Sequence, residues 1–194
     1  MTAAEKLVSV EDYLRYDLER EERHEFIDGE IVAMTGAEPT HGQIVANLTS
    51  LLQAALRPKG CFVFSQDQRV KVDHAYLYPD VVVACSIPKF SGDKPASLLN
   101  PKVIVEVLSE TTEGRDWNKK RKRYQRIASL QQYILVDCPE PSVAIWTRGN
   151  DERWSGPEEV AEGNVDIAAT TVRLADIYEG VAALAAALGS RPSS

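Results

Sequence analysis

The sequence predicts an α/β or α+β fold, and three observations carry that prediction. Segments of helical and strand period alternate along the chain. The run Val103-Ile104-Val105-Glu106-Val107-Leu108 is apolar on both pleat faces apart from one carboxylate, which marks a central strand covered on both sides. No internal repeat or linker divides the 194 residues, a length that suits one domain with a substantial core. That domain is expected over residues 1–188, with 189–194 as a flexible tail.

Each element has a local cause. Ser9 followed by Asp12 is an acidic variant of a capping box, and Val8 with Tyr13 can form its hydrophobic staple, so a first helix is expected over about residues 10–20. Residues 25–34 read as a hairpin around the Asp28-Gly29 turn. Thr40 and Gln43 fit a second capping box, with Thr40 as N-cap and His41 as the first helical residue. Ile44, Val45, Leu48, Leu51, Leu52, Ala55 and Leu56 then recur at helical spacing until Pro58 and Gly60 end the helix. Strands are expected at 61–64, 69–72 and 81–85, then a Pro-, Ser-, Gly- and Asp-rich loop at 86–101. After the central strand comes a basic helix at roughly 115–128, then strands at 133–136 and 143–146 around a turn with two prolines. Residues 149–164 are polar and turn-rich, and 174–188 suit a closing helix.

Composition is ordinary for a globular protein, with 44% hydrophobic and 26% charged residues. No apolar stretch approaches the ~20 residues that span a bilayer, and the first residues lack the form of a secretory signal. A cytoplasmic location is expected. The three cysteines, Cys61, Cys85 and Cys138, are odd in number, far apart and set in or beside apolar runs, so buried free thiols in a reducing compartment are expected. The net charge of −7 is uneven. Residues 115–126 hold seven basic side chains and one acid, Asp116, whereas the remainder is strongly acidic. Such a helix offers a phosphate-contacting face, or simply a solvated one.

The chemistry resides in the carboxylates. Tyr78-Pro79-Asp80 opens the apolar run 81–84, and Glu106 sits inside the central strand. An ionised carboxylate there is costly unless something positive compensates it. Hard oxygen ligands of this kind suit Mg²⁺ or Mn²⁺, which take one or two protein carboxylates and leave other positions to water and phosphate. Asp116, Lys120 and Tyr124 are spaced four apart and share a helix face, so Lys120 can point back over the acids. Alternatively, Lys120 pairs with Asp116 on the surface for about 0.3–0.5 kcal/mol. Glu25 is a third acid. His41, at a helix N-terminus where the dipole favours a neutral ring, can contact phosphate or serve as a base.

These residues together resemble a bacterial restriction endonuclease family, a domain of unknown function within the PD-(D/E)XK nuclease superfamily. The matching stretches are Glu25 through Glu30, His41 opening a helix, Pro79-Asp80-Val81, Glu106-Val107-Leu108-Ser109, Asp116 through Lys120 to Tyr124, and residues 133–137. They span about residues 9–148. The resemblance implies a restriction-endonuclease-like core, a central mixed β-sheet flanked by helices, with Asp80 and Glu106 as metal carboxylates. The superfamily pattern would put a lysine at position 108, which is Leu108 here, so Lys120 on the following helix becomes the match.

The expectation is therefore a Mg²⁺- or Mn²⁺-dependent endonuclease acting on DNA. Asp80, Glu106 and the carbonyl of Val107 would hold the ion, and Lys120 would position the nucleophile. Glu25 would serve a second ion. A homodimer suits cleavage of two strands. The alternatives are a catalytically inactive nuclease-fold module that binds nucleic acid or protein, and an unrelated hydrolase of small phosphorylated substrates.

Overall fold

The computed structural model describes residues 7–34, 36, 38–108 and 117–189, with the Trp117 side chain excluded. It is a mixed α+β fold with a central mixed sheet flanked by helices. Helix α1 (Val10–Leu18) starts as its capping box requires, with Ser9 accepting from the Asp12 amide at 3.1 Å and donating to the Asp12 carboxylate at 2.7 Å. Strands β1 (His24–Ile27) and β2 (Glu30–Ala33) are joined by Asp28 and Gly29, both at positive φ, the conformation a two-residue turn of this hand demands.

Helix α2 runs Pro39–Leu56. It begins one residue before the expected N-cap. Pro39 takes the first helical position, where its missing N–H costs nothing, and Glu38 becomes the N-cap without a side-chain bond. Thr40 and Gln43 thus form no capping box. Gln43 instead donates to Asn47 at 2.8 Å, and His41 is the third helical residue rather than the first. A 3₁₀ turn, Arg57–Lys59, and Gly60 at φ 77° end the helix.

Strands β3 (Phe62–Ser65), β4 (Val70–Val72), β5 (Ala75–Leu77), β6 (Val81–Ala84) and β7 (Val103–Val107) follow. Helix α3 (Trp117–Tyr124) leads to β8 (Gln132–Val136) and β9 (Val143–Arg148). The polar 149–164 stretch contains β10 (Trp154–Val160), and a ribbon of β11 (Asn164–Ile167) and β12 (Thr170–Arg173) comes next. The closing helix is two helices, α4 (Leu174–Ile177) and α5 (Val181–Gly189), broken at Gly180 with φ 79°.

The central sheet has the order β10-β9-β8-β7-β6-β3, with β7 and β8 parallel and the other neighbours antiparallel. Strand β7 is interior, as its two apolar faces require. Its Val103, Val105 and Val107 pack against α2, α4, α5 and the ribbon. Ile104 packs on the other face against α3 and the second sheet, β2-β1-β5-β4. The β7–α3–β8 crossover therefore lays the basic helix over the face that carries Glu106.

The cysteine expectation is corrected. Cys61 and Cys85 form a disulfide, and Cys138 lies outside it. Register supplies the reason. Phe62 pairs with Ala84, so residues 61 and 85 stand opposite each other across β3 and β6, with Cα atoms 4.0 Å apart. The 24-residue separation in sequence concealed this proximity.

Candidate active site

Strand register brings the acids together. Val81 pairs with Val105, so Asp80, one residue before β6, falls level with Glu106 near the C-terminal end of β7. The Asp80 carboxylate accepts the Val107 N–H at 2.8 Å and lies 3.3 Å from His41 Nε2, which α2 delivers from the opposite layer. The Val107 backbone adds to the pull of Asp80 and Glu106 that raises the proton affinity of this imidazole. Glu106 faces α3 and β1. Lys120 Nζ stands 2.7 Å from Glu25 Oε1 and 3.4 Å from Glu106 Oε1. The Tyr124 hydroxyl donates to Glu106 Oε1 at 3.1 Å, and the Tyr78 N–H donates to Glu25 Oε1 at 3.1 Å.

All five residues singled out in the sequence, Glu25, His41, Asp80, Glu106 and Lys120, thus meet at one strand end. They form two linked groups: His41 with Asp80 and Val107, and Glu25 with Lys120 and Glu106. The Lys120 amine turns inward over the acids. Asp116, its other sequence-level partner, lies outside the described residues. Tyr124 was visible only as the third member of a four-residue spacing, and its bond to Glu106 gives that spacing a purpose. The Tyr78 amide had no sequence signal, because any backbone N–H can serve.

The electrostatics follow from burial. Burial pushes the Glu106 carboxyl up to about 7; the Lys120 ammonium opposes this, while the charges of Asp80 and Glu25 add to it. Burial pushes the Lys120 ammonium down, but Glu106 and Glu25 outweigh it and leave the ammonium above its usual range. For His41, burial again acts downward and the bond and charge of Asp80 overcome it, so the ring leans toward imidazolium. This direction runs against the neutral histidine expected from the helix dipole, because an adjacent carboxylate outweighs a dipole contribution of about 0.3–1 kcal/mol.

Two buried polar atoms here have no hydrogen-bond partner among the described residues, His41 Nδ1 and the Tyr133 hydroxyl. Burial holds the Tyr133 hydroxyl well above its ordinary range, and the charge of Glu106 adds to that. Orphaned donors or acceptors beside clustered carboxylates are what a hydrated cation or substrate would satisfy. Among the described residues no group of three or more His, Cys, Asp and Glu side chains is arranged to hold a metal alone. The groups here that could hold an ion are the Asp80 and Glu106 carboxylates and the Val107 carbonyl, oxygen donors of the kind Mg²⁺ accepts together with water and phosphate.

The basic helix serves less as a free phosphate-facing stripe than its charge run implied. Arg123 pairs with Asp28 at 2.6 Å and Arg126 with Asp73 at 2.9 Å, tying α3 and the turn after it to two turns of the second sheet. Arg121 lies over the Trp146 ring. No helix among the described residues is long and apolar enough to cross a membrane.

Comparison with known proteins gives the chain a family and supports its fold. Residues 10–174 match the family model Uma2, described as "Putative restriction endonuclease". An uncharacterized protein of Synechocystis sp. is 32% identical over 164 residues, covering 84% of this chain and 93% of its own length. A second from the same organism is 30% identical over 151 residues, covering 76% and 77%. A crystal structure described as a putative nuclease belonging to DUF820, from Anabaena variabilis, superposes with a TM-score of 0.71 at 16% identity, covering 90% of this chain and 99% of that one. That likeness shows the fold.

Proposed function

Because the chain belongs to the Uma2 family of putative restriction endonucleases, we propose that it is a divalent-metal-dependent endonuclease that hydrolyses phosphodiester bonds, with DNA as its substrate. The observation that carries this reading is the inward Lys120 ammonium 3.4 Å from Glu106 at the strand end level with Asp80. Asp80, Glu106 and the Val107 carbonyl would hold Mg²⁺ or Mn²⁺. When bound, that ion supplies Lewis-acid polarisation of a phosphoryl oxygen and a lowered pKa of water.

The chain's own residues supply the rest. Lys120 presents fixed positive charge where the phosphorane oxygens gain negative charge. Glu25 holds that ammonium through its 2.7 Å contact and is itself held by the Tyr78 N–H. For Glu25 to serve a second ion, Lys120 would have to leave it. The Tyr124 hydroxyl fixes one oxygen of Glu106. His41, favoured in its protonated form by Asp80, can give a proton to a leaving oxygen or hold a phosphate oxygen.

Purified protein is expected to nick supercoiled plasmid when Mg²⁺ or Mn²⁺ is supplied. Asp80→Ala and Lys120→Ala should each lower the rate by roughly 10²–10³-fold or more. Nicking that survives both substitutions overturns the assignment. Leu108 at the position where the superfamily pattern puts a lysine, together with the pairing of Lys120 with Glu25, favours one other reading, an inactive nuclease-fold module that binds nucleic acid or protein. Salt-sensitive DNA binding without cleavage would select it.

A further inference from the structure

Strand β3 is one edge of the central sheet, and apart from its shortness, four residues, it lacks the devices that keep sheet edges apart. The opposite edge, β10, carries Pro157, two glutamates and a register shift between Ser155 and Glu158. In the second sheet β2 begins with an exposed Glu30. Along β4, the Lys71 N–H donates to the Leu98 carbonyl and the Leu98 N–H to the Arg69 carbonyl, which closes that edge. Strand β3 reads Phe62-Val63-Phe64-Ser65, with no charge, proline or bulge. Phe62 is 49% exposed, and Phe64 meets Phe90 edge to face. Four of the six exposed large hydrophobic residues among those described, Phe62, Ile87, Phe90 and Leu99, lie on this strand or in the segment after β6.

The backbone of β3 is self-complementary. Gln66 donates its N–H to the Asp80 carbonyl, so alternation points residues 62, 64 and 66 toward β6 and residues 61, 63 and 65 outward. Two of the outward groups are occupied: the Cys61 N–H bonds the Leu56 carbonyl, and the Ser65 carbonyl accepts from Asp67. Among the described residues, the N–H and carbonyl of Val63, the Ser65 N–H and the Cys61 carbonyl have no hydrogen-bond partner. A two-fold axis through Val63 matches these four groups with their copies. Val63 would pair with Val63 of a second copy in both directions, and each Ser65 N–H would meet the other copy's Cys61 carbonyl. The same register sets Phe62 across from Phe64 of the second copy, a close cross-strand aromatic pair. It also brings the basic Arg57–Lys59 turn of one copy toward Asp67 of the other, a carboxylate 3.6 Å from its own Arg23 and 84% exposed, so it can take a second cationic partner.

We propose that the β3 edge is a homodimer interface, in which two copies pair antiparallel about Val63 and join their six-stranded sheets into one. The occupant is a second copy because the pattern of open and occupied backbone groups matches its own two-fold image.

Sedimentation equilibrium or light scattering on the intact protein tests this directly. The wild type is expected at twice the 21.5 kDa of one chain. Val63→Pro removes an outward N–H without touching the β6 ladder, and Phe62→Lys adds the missing edge charge. Both variants should be monomeric with wild-type circular dichroism. If the proline variant fails to fold, the lysine variant decides. A monomeric wild type, or a dimer that persists in folded Phe62→Lys, overturns the proposal.

Discussion

Glu106 sets burial against charge on a single side chain. Its neighbour on the same pleat face, Ile104, belongs to the core, and burial raises its carboxyl to about 7 from an ordinary 4.5. In an unfolded chain the proton leaves near 4.5; in the folded, metal-free chain it leaves near 7. Between those values the folded state binds the extra proton, so each rise in pH favours unfolding. Metal-free protein is therefore expected to lose stability, on the order of a few kcal/mol, as pH climbs from about 5 to about 7.5. Urea midpoints measured in chelator at the two ends check this, and Glu106→Gln should flatten the slope. A profile that rises with pH in this window contradicts the assignment. Of the three acids gathered at the candidate site, Asp80 and Glu106 stood out in the sequence, because a carboxylate that opens or interrupts an apolar run is expensive to bury and calls for a partner. The grip of Glu25 on Lys120 did not, since Glu25 lies on β1 of the second sheet and Lys120 on helix α3, and only the three-dimensional layering makes them neighbours.

At the scale of elements, β3 and β6 are joined twice, by their hydrogen-bonded ladder and by the Cys61–Cys85 bridge, which encloses the segment that carries Asp80. Closing a loop of 24 residues contributes about 3 kcal/mol in the chain-entropy account. Reduction with dithiothreitol, or Cys61→Ala with Cys85→Ala, is expected to lower the unfolding midpoint accordingly. Intact mass under non-reducing conditions verifies the bridge. Element recognition succeeded where local chemistry was distinctive, as at the Asp28-Gly29 turn and the long apolar stripe of α2. It failed at β10, whose Gly156 and Pro157 read as a turn but form an edge irregularity. It also failed at β5, three residues between a turn and Pro79, where strand identity comes from pairing with β1 and β4 rather than from pattern.

Across the whole molecule, the two layers are tied by a buried ion pair with no motif to announce it. Arg69, on the approach to β4, meets Asp17 of α1 at 3.0 Å, with both side chains 1% exposed. The guanidinium also donates to Ser97 Oγ at 2.8 Å and to the Pro95 carbonyl, while Asp17 accepts from the Tyr78 hydroxyl at 3.1 Å. One cluster thus connects the first helix, the second sheet, the 86–101 segment and the residue two before Asp80. Arg69→Ala leaves Asp17 as an uncompensated buried carboxylate and should cost roughly 3–5 kcal/mol. Chemical denaturation measures that loss, and Arg69→Met with Asp17→Leu should recover much of it. A single Arg69→Ala loss below about 1 kcal/mol would mean that water reaches the pair.

Strand β7 carries a last consequence. Because it is apolar on both sides, sliding it by one position against β6 or β8 would still bury hydrophobic groups, and the usual penalty for misalignment is weak. Glu106 breaks that degeneracy. Only one alignment lets its oxygen meet the Tyr124 phenol and the Lys120 amine, so the acid that makes the strand costly to bury also tells the chain where to stop.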